Sequence, residues 1–346
     1  MTTREIAREC GVSQSTVAAV INNRKNIGKE TRKKVLDLIE KLNYNPVNNL
    51  PRVKRIKSQT LALIIPNVNY LVSPFYNRAI KSFFKSAVDN YRQFKLLNYD
   101  VIDRQIKERT NQIEYYQDCG GVIFFAPFSD EWEGSFKYFH QQGVPCVSIG
   151  RKIQSGILAT IDHNDREGLI AALEHLYAGG HRRIGYINRA SRKETDHRHQ
   201  VYLKFMQDKG LKADNRFNYM PTEITTLQEW AKDFSGWLKG IKGQPECPTA
   251  YFCFDDRLAV QVLTEMRVAG IRVPEDISVI GFDNNDISLQ AIPPLTTVSV
   301  PVEQMCEMAC QLLINCIDGK TPMDSNMKIV METKLVIRES TAKAVS

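Results

Sequence analysis

From Thr60 onward, short apolar runs alternate with stretches of helical period, and this beat restricts the fold more than any other feature of the chain. It begins with LALII (61–65), a helical pattern around 75–91, FKLLNY (94–99), a second helical pattern around 103–117 and GVIFFA (121–126). It continues through VPCVSIG (144–150), LATID (158–162), RRIGYI (182–187), TAYFCF (249–254), DISVIGFD (276–283) and TTVSV (296–300), and a last strand-like run is KIVMETKLVIRES (328–340). Strands that alternate with helices imply parallel sheets wound on both faces. A run of this length predicts two doubly wound subdomains meeting in a cleft at the carboxyl ends of their strands, where α/β sheets bind ligands.

The first 58 residues are of another kind. They hold 13 Lys/Arg against 5 Asp/Glu, while the chain as a whole has 46 against 39, so this segment carries the entire positive surplus of +7. Such a local excess suits contact with a polyanion. Thr2 and Glu5 have the spacing of a capping box, and the helix they open, through Ile6 and Ala7, stops at Gly11. Ser13 is a good N-cap for a second helix with Val17, Val20 and Ile21 as its apolar stripe. A third helix is predicted from about Lys29 to Leu42, with Val35, Leu38, Ile39 and Leu42 on one side. Two short helices joined through a glycine turn make a helix-turn-helix, whose second member lies in the DNA major groove.

Several other functions find no support in the residues. No apolar run approaches the roughly 18 residues of a membrane span, and the charged N-terminus lacks the apolar stretch of a signal peptide, so a cytoplasmic protein is expected. The eight cysteines form no CxxC pair or zinc-ligand spacing. There is no GxGxxG, Walker loop or GxSxG; Ser82 and Lys85 match SxxK only within an amphipathic helix. Asp196, His197 and His199 do not make a metal site, because alternate residues on a helix point apart. The expectation is a protein without catalytic residues, metal or cofactor.

The runs IAxxxGVSxSTVxxVIN (6–22) and ETRKKVLDLIEKLNYNP (30–46) resemble the lactose/galactose repressor (LacI/GalR) family, and SPFY (73–76), DxxxxxGLIAALEHLYAGGHRRIGYI (162–187) and VPEDISVIGFDN…PPLTTV (273–298) extend the resemblance over nearly the whole chain. It implies a helix-turn-helix head on a periplasmic-binding-protein-like core, in a homodimeric regulator of a pseudo-palindromic operator. By resemblance the base-reading positions are Gln14 and Ser15, with Ala19 one turn later; Thr16, Asn22, Lys29 and Thr31 contact phosphates or fix the turn, and Thr3 joins the DNA-binding set. Gln pairs bidentately with adenine and Ser bonds several bases. Ala18-Ala19 departs from the family's common Ser-Arg pair, so apolar contact with a thymine methyl is expected there.

Residues 46–58 correspond to the family's hinge, which forms a short helix on DNA and wedges an apolar side chain between base steps. Pro51 is compatible only with the first turn of such a helix, which is expected to start near Asn49, and the wedge is Val53 or Ile56. In the cleft, the resemblance assigns an aromatic wall to Phe75 and Tyr76, a ligand clamp to Arg198, polar contacts to Asp255 and Asp283, and a further contact to Arg151. Two acceptor carboxylates with an arginine fit a polyhydroxyl effector, most simply a sugar. For each of the two aspartates, a strand-end cap or an ion pair is the competing role. The expected division is a head at 1–45, a hinge at 46–58, a first core subdomain at 59–160 and 292–320, and a second at 161–291 and 321–346. The rival function is a sugar-sensing protein with degenerate DNA recognition, suggested by Ala18-Ala19 and the altered hinge.

Overall fold

A computed structural model of the chain describes residues 3–21, 27–41, 59–66, 68–107, 118–125, 133–150, 157–189, 197–221, 226–244, 246–323 and 325–344. The head consists of α1 (Thr3–Cys10), α2 (Gln14–Ile21) and α3 (Lys29–Lys41). Gly11 closes α1 with φ +66, and the Val12 N–H donates back to the Ala7 carbonyl at 2.9 Å, a left-handed cap that turns the chain into α2. Ser13 caps α2, accepting from the Thr16 N–H at 3.0 Å. Ile6, Ala7 and Cys10 pack on Val17, Val20 and Val35 in a small core of their own.

The core follows the predicted beat: β1 (Thr60–Ile65), α4 (Pro74–Asp89), β2 (Gln93–Asn98), α5 (Tyr99–Lys107), β3 (Cys119–Phe125), α6 (Glu133–Gln141), β4 (Cys146–Ile149) and β5 (Ala159–His163). Then come α7 (Asp165–Ala178), β6 (Ile184–Ile187), α8 (His197–Asp208), α9 (Leu227–Ile241), β7 (Ala250–Cys253), α10 (Asp256–Val268), β8 (Ser278–Asp283) and α11 (Asp286–Gln290). The chain closes with β9 (Thr296–Ser299), α12 (Val302–Ile317), β10 (Met327–Met331) and β11 (Lys334–Val336).

Two sheets result, one ordered β10-β5-β4-β3-β1-β2 and the other β11-β9-β8-β7-β6. All described pairings are parallel except β11 with β9. Both faces of the central strands are covered: Leu61, Leu63 and Ile65 of β1 face Phe83 and the α12 side chains, while Ala62 and Ile64 face Phe124, Phe136 and Phe139. That period of two, with apolar residues at every position, explains why β1 reads as a continuous apolar run.

The pairings correct the expected subdomain boundaries. β5 runs on to His163 within the first sheet, β9 lies in the second sheet although 292–320 was expected in the first subdomain, and β10 lies in the first although 321–346 was expected in the second. The chain therefore crosses between subdomains after β5, after β9 and after β10. An apolar run specifies burial but not its neighbour, so the sheet that each of these strands joins is decided by long-range pairing.

Candidate functional site

The carboxyl ends of the two sheets face each other across a cleft of about 1000 Å³. One wall comes from the first sheet and its helices. Ser73 and Pro74 open α4 with proline in the first turn, which brings Phe75 and Tyr76 to the cleft beside Tyr70 and Phe125. Tyr76 meets Tyr70 at 4.8 Å and Phe125 edge-on at 4.9 Å, and Phe75 meets Phe125 at 5.6 Å. Phe75 remains half-buried, whereas Tyr76 is a core residue 5% exposed, so Phe75 presents the freer ring.

The opposite wall is charged. Arg198 of α8 donates from Nε to Asp165 Oδ2 at 3.1 Å and from Nη1 to the Phe254 carbonyl at 2.6 Å. Its Nη2 lies 3.9 Å from Asp283 Oδ1, and its guanidinium sits 3.7 Å from the centre of the Phe282 ring. Burial opposes the charge on Asp165, but Arg198 and His163, the latter 2.5 Å from Asp165 Oδ1, hold that carboxyl well below its usual range. Asp283 goes the other way. Burial, reinforced by Asp255, Asp256 and Asp165, raises its pKa well above the ordinary value although Arg198 works against the rise. Of the two carboxyls it is the one that its surroundings push toward the protonated form, which can donate as well as accept.

Asp283 also sits in a strained turn, with φ +105, followed by Asn284 at φ +53. Arg78 of α4 reaches across from the first subdomain to hold that turn: its Nη1 donates to the Asp283 carbonyl at 2.7 Å and the Asn284 carbonyl at 3.2 Å. The same guanidinium donates from Nε and Nη2 to the two carboxylate oxygens of Glu303, at 2.6 and 2.8 Å. Behind the turn lies Asp256, fully buried, accepting from the Asn285 N–H at 2.7 Å and from the Thr297 hydroxyl. Burial raises its pKa to about 7, partly offset by those two hydrogen bonds.

The cleft thus brings together Phe75, Tyr76, Arg198, Asp255 and Asp283, all anticipated from the sequence; Arg151 lies outside the described residues. Asp255 also fills the competing role. Its side chain caps α10, accepting from the Leu258 N–H at 2.7 Å, and its Oδ1 lies 3.3 Å from Arg189 Nη2. Sequence reasoning missed His163, Asp165, Arg189 and Arg257. Each lies within three residues of the end of a strand-like run, so reading the three residues past every such run would have found them.

In the head, the Gln14 amide donates to the Thr3 hydroxyl at 3.0 Å, which ties the first turn of α2 to the first turn of α1 and leaves the other N–H and the carbonyl of that amide available. Ser15 lies 2.7 Å and Thr16 2.8 Å from the Ser13 hydroxyl. Gln14, Ser15 and Lys29 are exposed, while Thr3, Thr16, Ala19 and Thr31 are partly covered. Asn22, Val53 and Ile56, together with Thr2 of the expected capping box, lie outside the described residues.

A family profile described as "Bacterial regulatory proteins, lacI family" matches residues 2–47, and one described as "Periplasmic binding protein-like domain" matches residues 173–341. The NTD biosynthesis operon regulator NtdR of Bacillus subtilis (strain 168) is 29% identical over 339 residues, covering 97% of this chain and 98% of that protein. Among solved structures, the complex of the transcriptional regulator CelR with cellobiose is 26% identical, covers 98% of this chain and 99% of that one, and superposes with a TM-score of 0.67. A periplasmic binding protein/LacI transcriptional regulator from Alkaliphilus metalliredigens QYMF, complexed with D-xylulofuranose, is 26% identical, covers 84% of this chain and all of that one, and gives 0.62. The two profiles match head and core in the order in which the fold presents them, and the chain belongs to the lacI family of bacterial regulatory proteins, a transcriptional regulator and not an enzyme.

Proposed function

We propose that the chain is a homodimeric repressor of a pseudo-palindromic operator whose affinity for DNA is set by a sugar in the cleft. One observation carries this reading: a single chain joins a helix-turn-helix head to a cleft lined from both core sheets, with three crossings between them. An occupant that binds one arrangement of the subdomains better than another shifts that arrangement and with it the heads. Gln14 and Ser15 read base edges, Ala19 meets a thymine methyl, and Thr3, Thr16, Asn22, Lys29 and Thr31 serve phosphates or the turn. Residues 46–58 are the hinge, with Val53 or Ile56 as its wedge.

In the cleft, Phe75 covers the C–H face of the sugar and Tyr76 backs it, while Arg198, Asp255, Asp283 and Arg151 take its polar groups. The cellobiose and D-xylulofuranose bound by the two structural relatives support this class of ligand. A homodimer is supported by an apolar outer face on α4, where Phe84 is 52%, Val88 51% and Tyr91 just beyond it 94% exposed. A protein that works on DNA works in the cytoplasm, and no helix among the described residues is long and apolar enough to cross a membrane.

Selection from a random duplex library tests the reading: a motif with two-fold symmetry is expected to enrich. The apolar Ala18-Ala19 pair favours a second reading, a sugar sensor with degenerate DNA recognition, and enrichment of no motif decides for it.

A further inference from the structure

The charged groups of the cleft are unevenly partnered. Arg198 serves both Asp165, at 3.1 Å, and Asp283, at 3.9 Å, and His163 lies 2.5 Å from Asp165 and 3.8 Å from Asp162. Asp255 is left to serve two guanidiniums. It pairs with Arg189 at 3.3 Å, and the same Oδ1 already accepts from the Leu258 N–H. Arg257, half-buried in the same wall, makes no ion pair or hydrogen bond among the described residues. Arg189 is only partly satisfied: its Nε is buried from solvent and has no hydrogen-bond partner among them.

A buried guanidinium N–H without an acceptor is costly, as is a half-buried cation without a counter-charge. Burial and repulsion from Arg189 lower the pKa of Arg257, partly offset by Asp255, so the two cations are close enough to oppose each other. An oxyanion between them supplies the missing acceptors, and its negative charge removes the repulsion.

We propose that the cleft ligand is an acidic sugar, whose carboxylate or phosphate is held by Arg189 and Arg257 while its hydroxyls face Arg198 and Asp283 and its ring lies against Phe75. This inference rests on the reading of the cleft as a sugar site and names the charge of its occupant. Neither the carboxylate nor the phosphate is favoured by the donors alone, since both accept forked hydrogen bonds from arginine.

The test is calorimetric titration of the full chain with D-gluconate, D-glucuronate and D-glucose 6-phosphate, beside D-glucose and cellobiose as neutral controls. One or more acids are expected to bind at least tenfold more tightly than the neutral sugars, and which acid does so separates carboxylate from phosphate. R257Q is expected to lose that preference by tenfold or more, whereas R257K keeps part of it. Because Arg257 forms no ion pair or hydrogen bond among the described residues, R257Q is expected to melt like the native chain, which separates loss of ligand from loss of fold. Equal binding of neutral and acidic sugars, unaffected by R257Q, overturns the proposal and leaves the sugar site standing. Binding of none of them, acidic or neutral, contradicts both.

Discussion

Arg198 joins four functions in one side chain: it neutralises Asp165, bonds the Phe254 carbonyl, stacks on Phe282 and faces Asp283. Arg198→Met leaves Asp165 buried with His163 alone, and removal of one partner from a buried pair costs about 3–5 kcal/mol. A large fall in melting temperature is therefore expected, together with loss of any calorimetric response to sugars. Arg198→Lys retains the charge but not the fork, so the fold is expected to survive while ligand affinity falls. Asp256 gives a pH signature. Its pKa is about 7 in the folded chain, against about 4 in an unfolded one. The stabilisation of its neutral form is thus complete below about pH 4 and lost as the pH rises through about 7. Asp256→Asn mimics that neutral form, so its melting temperature relative to the native chain is expected to improve between about pH 4 and pH 7 and to level off above that. A difference that stays constant over that range contradicts the assignment. The sequence identified Arg198 and Asp283 through motif resemblance, but it held no sign that the Asp283 carboxyl is pushed up while that of Asp165 is held down. That contrast is made by the tertiary fold: Arg198, distant in sequence, joins the neighbouring His163 in lowering Asp165, while burial, with Asp255 and Asp256, raises Asp283.

At the scale of elements, α1 and α2 were legible almost to their ends, because a glycine in the left-handed region and a serine N-cap are local signals. The run 328–340 was not legible in the same way. It reads as one strand-like segment, yet it divides into β10 on the first sheet and β11, antiparallel, on the second. The division is set by parallel pairing of β10 to β5 and antiparallel pairing of β11 to β9, neither of which leaves a mark on the local pattern. The tie from Gln14 to Thr3 makes α2 the element whose substitution most directly tests base reading. A bidentate Gln–adenine pair is worth about 1–3 kcal/mol of discrimination. Gln14→Ala is expected to lower affinity for the selected duplex by that amount and to relax preference at one position of each half-site, as read by repeating the library selection. The head itself is expected to stay folded, since Gln14 is exposed and outside the Ile6–Val17–Val35 core.

For the whole molecule, the two subdomains are joined by chain crossings and by Arg78, which links α4 and Glu303 to the Asp283–Asn284 turn. A ligand that touches Asp283 therefore touches the group on which this inter-subdomain tie is built. In the proposed homodimer the apolar face of α4 is where the second copy docks. Substituting Phe84 and Val88 together by Glu is expected to convert a dimer into a monomer in analytical ultracentrifugation, with little change in the melting of the core because both side chains are about half exposed. The central claim is that occupation of the cleft alters DNA binding by the head. Its most direct measurement is the dissociation constant of the selected duplex, by fluorescence anisotropy over a range of salt, with the cleft empty and then saturated with the sugar that binds it best in calorimetry. The account predicts that log K falls with log salt by about 0.9 per phosphate neutralised, and that saturation changes the constant by roughly 5- to 150-fold at fixed salt. The same constant with the cleft empty and full would contradict it.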